Sequence, residues 1–223
     1  MVLGLWENSP MRFSLEKFSD YSIVKKSILD ANALASVLLL DLDETLVSHK
    51  SFVYDRILRY NQTLSTFARN PELSEKLFNQ IKFEGTDGVL DFVIDQFHES
   101  AKIDELLTYL RTDLGLPADF FRPGAKETLT SLNNNFALKI CTNGNELQQA
   151  IKIRYLNQML GFEIPTFFCA SIASKPSPLC LICALGDSSP NHALFIGDSD
   201  VDSLAAERAG VKFLNVTSLL AGT

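Results

Sequence analysis

The sequence predicts an α/β protein: a parallel sheet covered by helices on both faces, with an additional helical module set into it. Three observations carry this. "ASVLLLDLD" is a short run that is apolar on both faces, as in a strand buried in a parallel sheet. From Arg122 onward, helix-like and strand-like segments alternate. Between these regions lie about 70 residues of helix-like pattern, too many for an ordinary connection.

Taken in order, "SLEKFSDYSIVKKSILDANA" spaces Leu15, Phe18, Val24 and Ile28 at helical intervals, which predicts an amphipathic helix packed on the core. The first strand follows. "SFVYDRILRYNQTLSTFARN", "PELSEKLFNQIKF" and "GVLDFVIDQFHESAKIDELLTYLRTDLG" read as helices; in the last, Leu90, Val93, Ile94 and Phe97 recur at three- and four-residue steps. "EGTDG" marks a break, and Pro71 suits a first helical turn.

Then come the helix "GAKETLTSLNNN", the strand "FALKICT" and the helix "NELQQAIKIRYLNQML", with Asn145 as N-cap and Gln148 in the capping-box position. The strand "PTFFCAS", the helix "PSPLCLICALG" and the strand "HALFIGD" come next. The helix "VDSLAAERAG", ending at Gly210, and the strand "VKFLNV" complete the series. The expected organisation is an N-terminal extension (1–35), a Rossmann-like three-layer α/β/α core (36–50 and 120–223) and a helical module (51–119).

The 223 residues, 46% hydrophobic and 21% charged, suit a globular chain, and the net charge of −7 argues against nucleic acid as a partner. No signal-peptide pattern and no apolar run long enough for a membrane span occur, so a cytoplasmic protein without membrane association is expected. Cys141, Cys169, Cys180 and Cys183 lie in apolar runs and read as buried thiols. "CLIC" lacks a second cysteine pair or a nearby histidine, so Cys180 and Cys183 read as two cysteines on one helix face, not as a zinc site.

In open α/β sheets, ligands bind beyond the carboxyl ends of the strands. Those ends carry Asp41 to Thr45, Thr142 to Gly144, Ser174 with Lys175, and Gly197 to Asp202. The acids of "DLDET" can cap local backbone amides. If the strands ending in "DLDET" and "IGDSDVD" are neighbours, however, Asp41, Asp43 and Asp198 converge. They would then share protons or hold a hard cation, for which an all-oxygen set suggests Mg²⁺. Thr142, before Asn143-Gly144, reads as a turn or as a grip on a phosphoryl oxygen. Lys175 reads as a solvated loop lysine or as a neutralising charge beside the acids.

With these residues in view, the chain resembles the haloacid dehalogenase-like hydrolase superfamily, most members of which are Mg²⁺-dependent phosphatases. The four motifs stand in order: Asp41, Asp43 and Thr45 as D-x-D-x-T; Thr142 in "CTNG"; Lys175 in "KPSP"; and Gly197, Asp198 and Asp202 as G-D-x-x-x-D. The resemblance covers about 36 to 50 and 120 to 216. It implies Asp41 as nucleophile, Asp43 as general acid and base, and Mg²⁺ on the carboxylates of Asp41 and Asp198 and the backbone carbonyl of Asp43. Thr142, the Asn143 N–H and Lys175 would bind the phosphoryl group, with Asp202 positioning Lys175 or a metal-bound water.

Residues 51–119 match the helical cap of one branch of the superfamily, and the implied substrate is a small phosphorylated metabolite. Glu44 replaces a glycine common in relatives and is expected not to disturb catalysis. Arg56, Arg59, Lys82, His49 and His98 read as solvated helix positions. A phosphomutase would keep the same residues, a dehalogenase would need no Asp43, and a protein phosphatase of the polymerase-tail type would lack the helical module. A non-catalytic scaffold would have lost the nucleophile or a metal acid.

Overall fold

The computed structural model describes residues 22–31, 35–64, 70, 72–84, 88–97 and 103–217. Five parallel strands form its centre: β1 Val37–Leu40, β2 Ala137–Thr142, β3 Thr166–Phe168, β4 Ala193–Gly197 and β5 Lys212–Asn215, in the order β3-β2-β1-β4-β5. β1 therefore lies in the middle, with Leu40 beside Ile140 of β2 on one flank and Ile196 of β4 on the other. All four β1 residues are buried, as a strand covered on both faces requires.

Alternate side chains of β1 enter different cores. Leu38 and Leu40 join Val24 and Ile28 of α1 (Ser22–Ala31), Leu129 and Leu132 of α6 (Ala125–Asn133), and Ile153 and Leu156 of α7 (Glu146–Leu160). Val37 and Leu39 join Cys180 and Leu181 of α9 (Leu179–Leu185) and Ala205 and Ala206 of α10 (Asp200–Ala209). The result is the expected three-layer α/β/α sandwich, and α1 packs on the core through the two apolar residues read for it. Leu15 and Phe18 lie outside the described residues.

Between β1 and β2 stand α2 His49–Thr63, α3 Leu73–Glu84, α4 Val89–Phe97 and α5 Ile103–Leu110. In the segment read as helix-like from Gly88, the described residues are helical over Val89–Phe97 and Ile103–Leu110. Phe52, Ile57, Leu77, Val93 and Leu106 bury an apolar interior that runs on into the sheet core. The two connections to the sheet lie side by side. Val47 bridges Phe121 in antiparallel fashion, Ser48 N donates to Phe120 O at 2.8 Å, and Arg122 N donates to Leu46 O at 3.3 Å.

Some expectations need correction. "PTFFCAS" is extended only to Phe168; Cys169–Ile172 winds into the short helix α8. Cys141, Cys169 and Cys180 are buried, but Cys183 is exposed, so the two "CLIC" cysteines do not share one environment. Three residues along a helix leave the two side chains about 60° apart, so Cys180 lies within the buried face and Cys183 just beyond its edge. Arg56 is not solvated. It is fully buried, with its Nη1 donating to Asp55 Oδ2 at 2.9 Å, its Nη2 donating to Gly115 O at 2.7 Å, and its guanidinium 4.6 Å from the Phe52 ring centre. Arg59 pairs with the same Asp55 carboxylate. The Lys82 side chain and His98 lie outside the described residues. Among the described residues, no helix is long and apolar enough to cross a membrane.

Candidate active site

The ends of β2, β1 and β4, the loop beyond β3 and α8, and the first turn of α10 deliver the residues of one cleft of about 290 Å³. Its lining includes Asp41, Asp43, Glu44, Thr142, Asn143, Lys175, Asp198 and Asp202. Every site residue read from the sequence therefore reaches one place. Asp41 continues β1, its N–H donating to Ile196 O at 2.8 Å, so the end of β4 fixes its backbone.

Lys175 is the hub of the cleft. Its Nζ lies 2.6 Å from Asp41 Oδ1 and 2.6 Å from Asp202 Oδ1, and all three side chains are buried. The Lys175–Pro176 peptide is cis. The Lys175 backbone is clamped by the Asn143 side chain, whose Oδ1 accepts from Lys175 N at 2.9 Å and whose Nδ2 donates to Lys175 O at 3.2 Å. Asn143, expected to act through its backbone N–H, uses its side chain to hold Lys175. Thr142 Oγ1 donates to Asn143 O at 3.1 Å.

Asp202 belongs to the first turn of α10. Its Oδ2 accepts from Ser199 Oγ at 2.6 Å and Ser199 N at 3.3 Å, while Ser199 Oγ caps Asp202 N in return. Gly197 leaves room for this arrangement: a Cβ there would lie 2.8 Å from Asp202 Cγ.

One carboxylate oxygen from each of Asp41, Asp198 and Asp202 lies within 4.8 Å of the other two. Burial, opposed by Lys175 but reinforced by Asp202 and Asp43, pushes the Asp41 carboxyl up to about 7. Burial, together with Asp202 and Glu44, pushes Asp198 up to about 6. Thr45 Oγ1 stands between Asp41 Oδ2 and Asp198 Oδ1, at 3.3 and 3.5 Å. Negative charge thus exceeds the single lysine that serves it, and the donor atoms are all oxygen. A hard divalent cation fits this cluster.

Asp43 points elsewhere. Lys152 Nζ lies 2.6 Å from its Oδ1 and 2.9 Å from its Oδ2, and Gln149 Nε2 donates to Oδ2 at 2.8 Å. Although burial opposes ionisation, Lys152, His49 and Gln149 together bring Asp43 down to about 2. His49, read as solvated, is instead half-buried in the cleft wall, with its Nδ1 2.9 Å from Lys152 Nζ. The helix that begins at His49 folds back over the β1 loop, and this brings the ring to Asp43.

Sequence reading missed Lys152 and Gln149. A signal existed, since both fall on the buried stripe of α7 that continues through Leu156 and Leu160. Gly144 makes room for Gln149: its φ is +101°, and a Cβ there would lie 2.6 Å from Gln149 Nε2.

Glu44 also does more than its position in the motif suggests. It holds a left-handed φ of +54°, and its Oε1 accepts from Lys50 N at 3.0 Å at the start of α2. Arg122, on the returning connection, donates to the Glu44 backbone carbonyl and lies 3.4 Å from Glu44 Oε2.

A profile of the haloacid dehalogenase-like hydrolases matches residues 35–210, from the start of β1 to the end of α10. The chain belongs to that family. This haloacid dehalogenase-like hydrolase is 26% identical, over 190 residues, to a phosphoglycolate phosphatase of Mannheimia succiniciproducens, an alignment covering 79% of this chain and 83% of the relative. Its fold is similar to that of a HAD-superfamily hydrolase, subfamily IA, from Geobacter sulfurreducens, with TM-score 0.54, 21% identity and coverage of 83% and 89% of the two chains. It is also similar to that of the HAD-hydrolase YfnB from Bacillus subtilis, whose crystals hold magnesium, with TM-score 0.55, 18% identity and coverage of 80% and 85%.

Proposed function

We propose that this hydrolase is a Mg²⁺-dependent phosphatase that releases phosphate from a small phosphomonoester through a phosphorylated Asp41. The observation that carries the reading is the Asp41–Lys175–Asp202 contact beside Asp198, with a second acid, Asp43, two residues beyond the first. The 26% identity to a phosphoglycolate phosphatase supports it, and makes phosphoglycolate the first substrate to try. A cleft of about 290 Å³ suits a metabolite-sized ligand.

In this reading an Asp41 carboxylate oxygen forms a bond to phosphorus while the ester P–O bond breaks. Asp43, a carboxylate in the free protein, takes up a proton from solvent as the phosphate dianion binds beside it and gives that proton to the departing oxygen, so that an alcohol leaves. Asp43, now a carboxylate, takes a proton from water. The resulting hydroxide displaces Asp41 from phosphorus, regenerating both acids and releasing inorganic phosphate. Asp41, Asp198 and the Asp43 backbone carbonyl would hold Mg²⁺, which when bound offsets the repulsion between a carboxylate and a phosphate dianion. Lys175 adds fixed positive charge beside the nucleophile, and Thr142 with the Asn143 N–H orients the phosphoryl oxygens. Asp202 holds Lys175 in place. Helices α2–α5 act as a cap that excludes bulk water during transfer.

The test is phosphate release from a panel of phosphometabolites and 4-nitrophenyl phosphate, with and without Mg²⁺. Activity that needs Mg²⁺ and falls below about a thousandth in Asp41→Asn is expected. Inactivity across the whole panel overturns the reading. Metal-independent halide release from a haloacid would point to dehalogenation instead.

A further inference from the structure

Lys152 of α7 is charged yet has no exposed surface. Its neighbours on the buried stripe, Ile153, Leu156 and Leu160, are apolar. A hydrophobic residue there would pack α7 against the sheet without the desolvation cost of an ammonium. The ammonium donates to both oxygens of Asp43, and His49 Nδ1 lies 2.9 Å from it. Phe52 closes the remaining side, its ring centre 5.0 Å from Nζ.

The second contact to Asp43 is equally well fixed. Gln149 Nε2 faces two acceptors, Asp43 Oδ2 at 2.8 Å and Asn143 O at 2.7 Å, so its amide can be oriented only one way. Both Asp43 oxygens are therefore engaged by α7. That carboxylate cannot turn about its Cβ–Cγ bond without breaking a buried, charge-assisted contact. The same side chains run onward: Gln149 reaches Asn143, Asn143 clamps Lys175, and Lys175 meets Asp41.

We propose that Lys152, seconded by Gln149, is a positioning residue for Asp43: it sets the direction in which that carboxylate faces the leaving group, and ties this direction to the root of α2 through His49 and Phe52. The inference rests on the phosphatase reading above and adds to it a residue that touches neither phosphate nor metal. Because Lys152 acts through Asp43, its loss matters in proportion to how much the departing oxygen needs a proton. An alkoxide needs one, whereas a 4-nitrophenolate leaves without it.

The experiment compares kcat/KM for an alkyl phosphate and for 4-nitrophenyl phosphate in wild type, Lys152→Met and Gln149→Leu, with folding checked by circular dichroism. Expected for Lys152→Met is a loss of about 100-fold on the alkyl ester against about threefold or less on the aryl ester, with a smaller loss of the same pattern in Gln149→Leu and little change in KM. An active wild type whose variants lose both esters equally, or lose neither, overturns the inference and leaves the phosphatase reading standing. A wild type that hydrolyses neither ester overturns both. If Lys152→Met does not fold, Gln149→Leu alone decides by the same ratio.

Discussion

Lys175 Nζ and Asp41 Oδ1 meet at 2.6 Å with both side chains almost fully withdrawn from water. The contact joins a residue beyond β3 to one beyond the central strand, and a second carboxylate, Asp202, shares the same ammonium. Removing that ammonium leaves two buried acids facing each other. Lys175→Met should destabilise the metal-free protein by about 3–5 kcal/mol. Differential scanning calorimetry would show this as a lowered Tm, partly restored by Mg²⁺. A Tm equal to wild type without metal would contradict this account of the pair.

The two raised carboxyls, Asp41 at about 7 and Asp198 at about 6, give a pH dependence with a definite sign. A carboxyl raised in the fold stabilises it fully below the unfolded value, and that contribution fades as pH climbs through 6 and 7. Metal binding competes with the same protons. The Tm gain from saturating Mg²⁺ should therefore be larger at pH 8 than at pH 5.5, at roughly 2–4 °C per kcal/mol of linkage. Melting curves at the two pH values, with and without MgCl₂, check it; a flat or reversed response refutes it.

Glu44 combines an unfavourable backbone conformation with useful side-chain contacts, and two substitutions separate them. Glu44→Ala keeps the left-handed φ and loses the bonds to Lys50 N and Arg122, for an expected loss of about 1–2 kcal/mol. Glu44→Gly loses the same bonds but relieves the backbone, and should be about 1 kcal/mol more stable than the alanine variant. Urea denaturation measures both. Equal midpoints would mean that the φ of +54° carries no strain.

The thiols differ in reactivity by their surroundings. Cys141, Cys169 and Cys180 are buried, and the Cys180 thiol, hydrogen-bonded to Cys141 with burial adding to the effect, is pushed up to about 12. Cys183 is exposed. A thiol reagent should modify one cysteine quickly in the native protein and all four after unfolding in guanidinium. Rapid native modification of Cys180 would show that α9 opens readily.

Much of this was readable beforehand, for reasons that differ by residue. Asp41 and Asp198 each follow an apolar strand, Thr142 ends one and Lys175 lies a short helix beyond β3, so period and punctuation put them at one edge of a parallel sheet. Lys152 has no strand before it to mark it, only the helical spacing it shares with Gln149 and Leu156. It lies within "AIKIRYL", where a lysine between isoleucines looks solvent-facing. Only the rotation of α7 against the sheet carries it to Asp43, 109 residues away in the chain. His49 was obscured similarly, because a residue at a helix start has neighbours decided by where that helix docks. The contacts of Glu44 were not legible because they run through the backbone of Lys50 and through Arg122, which a motif pattern does not encode.

The paired connections at Val47 and Phe121 have a consequence for how such chains can be rebuilt. Strands bridged in this way run about 5 Å apart, so the chain leaves the sheet and returns to it through what is in effect a single port. Whatever is plugged into that port leaves the path of β1 and β2 unchanged. Chimaeras that keep the start of α2, with His49 and Phe52 against Lys152, and take the remaining helices from another family member should therefore change selectivity while leaving the surroundings of Asp43 in place.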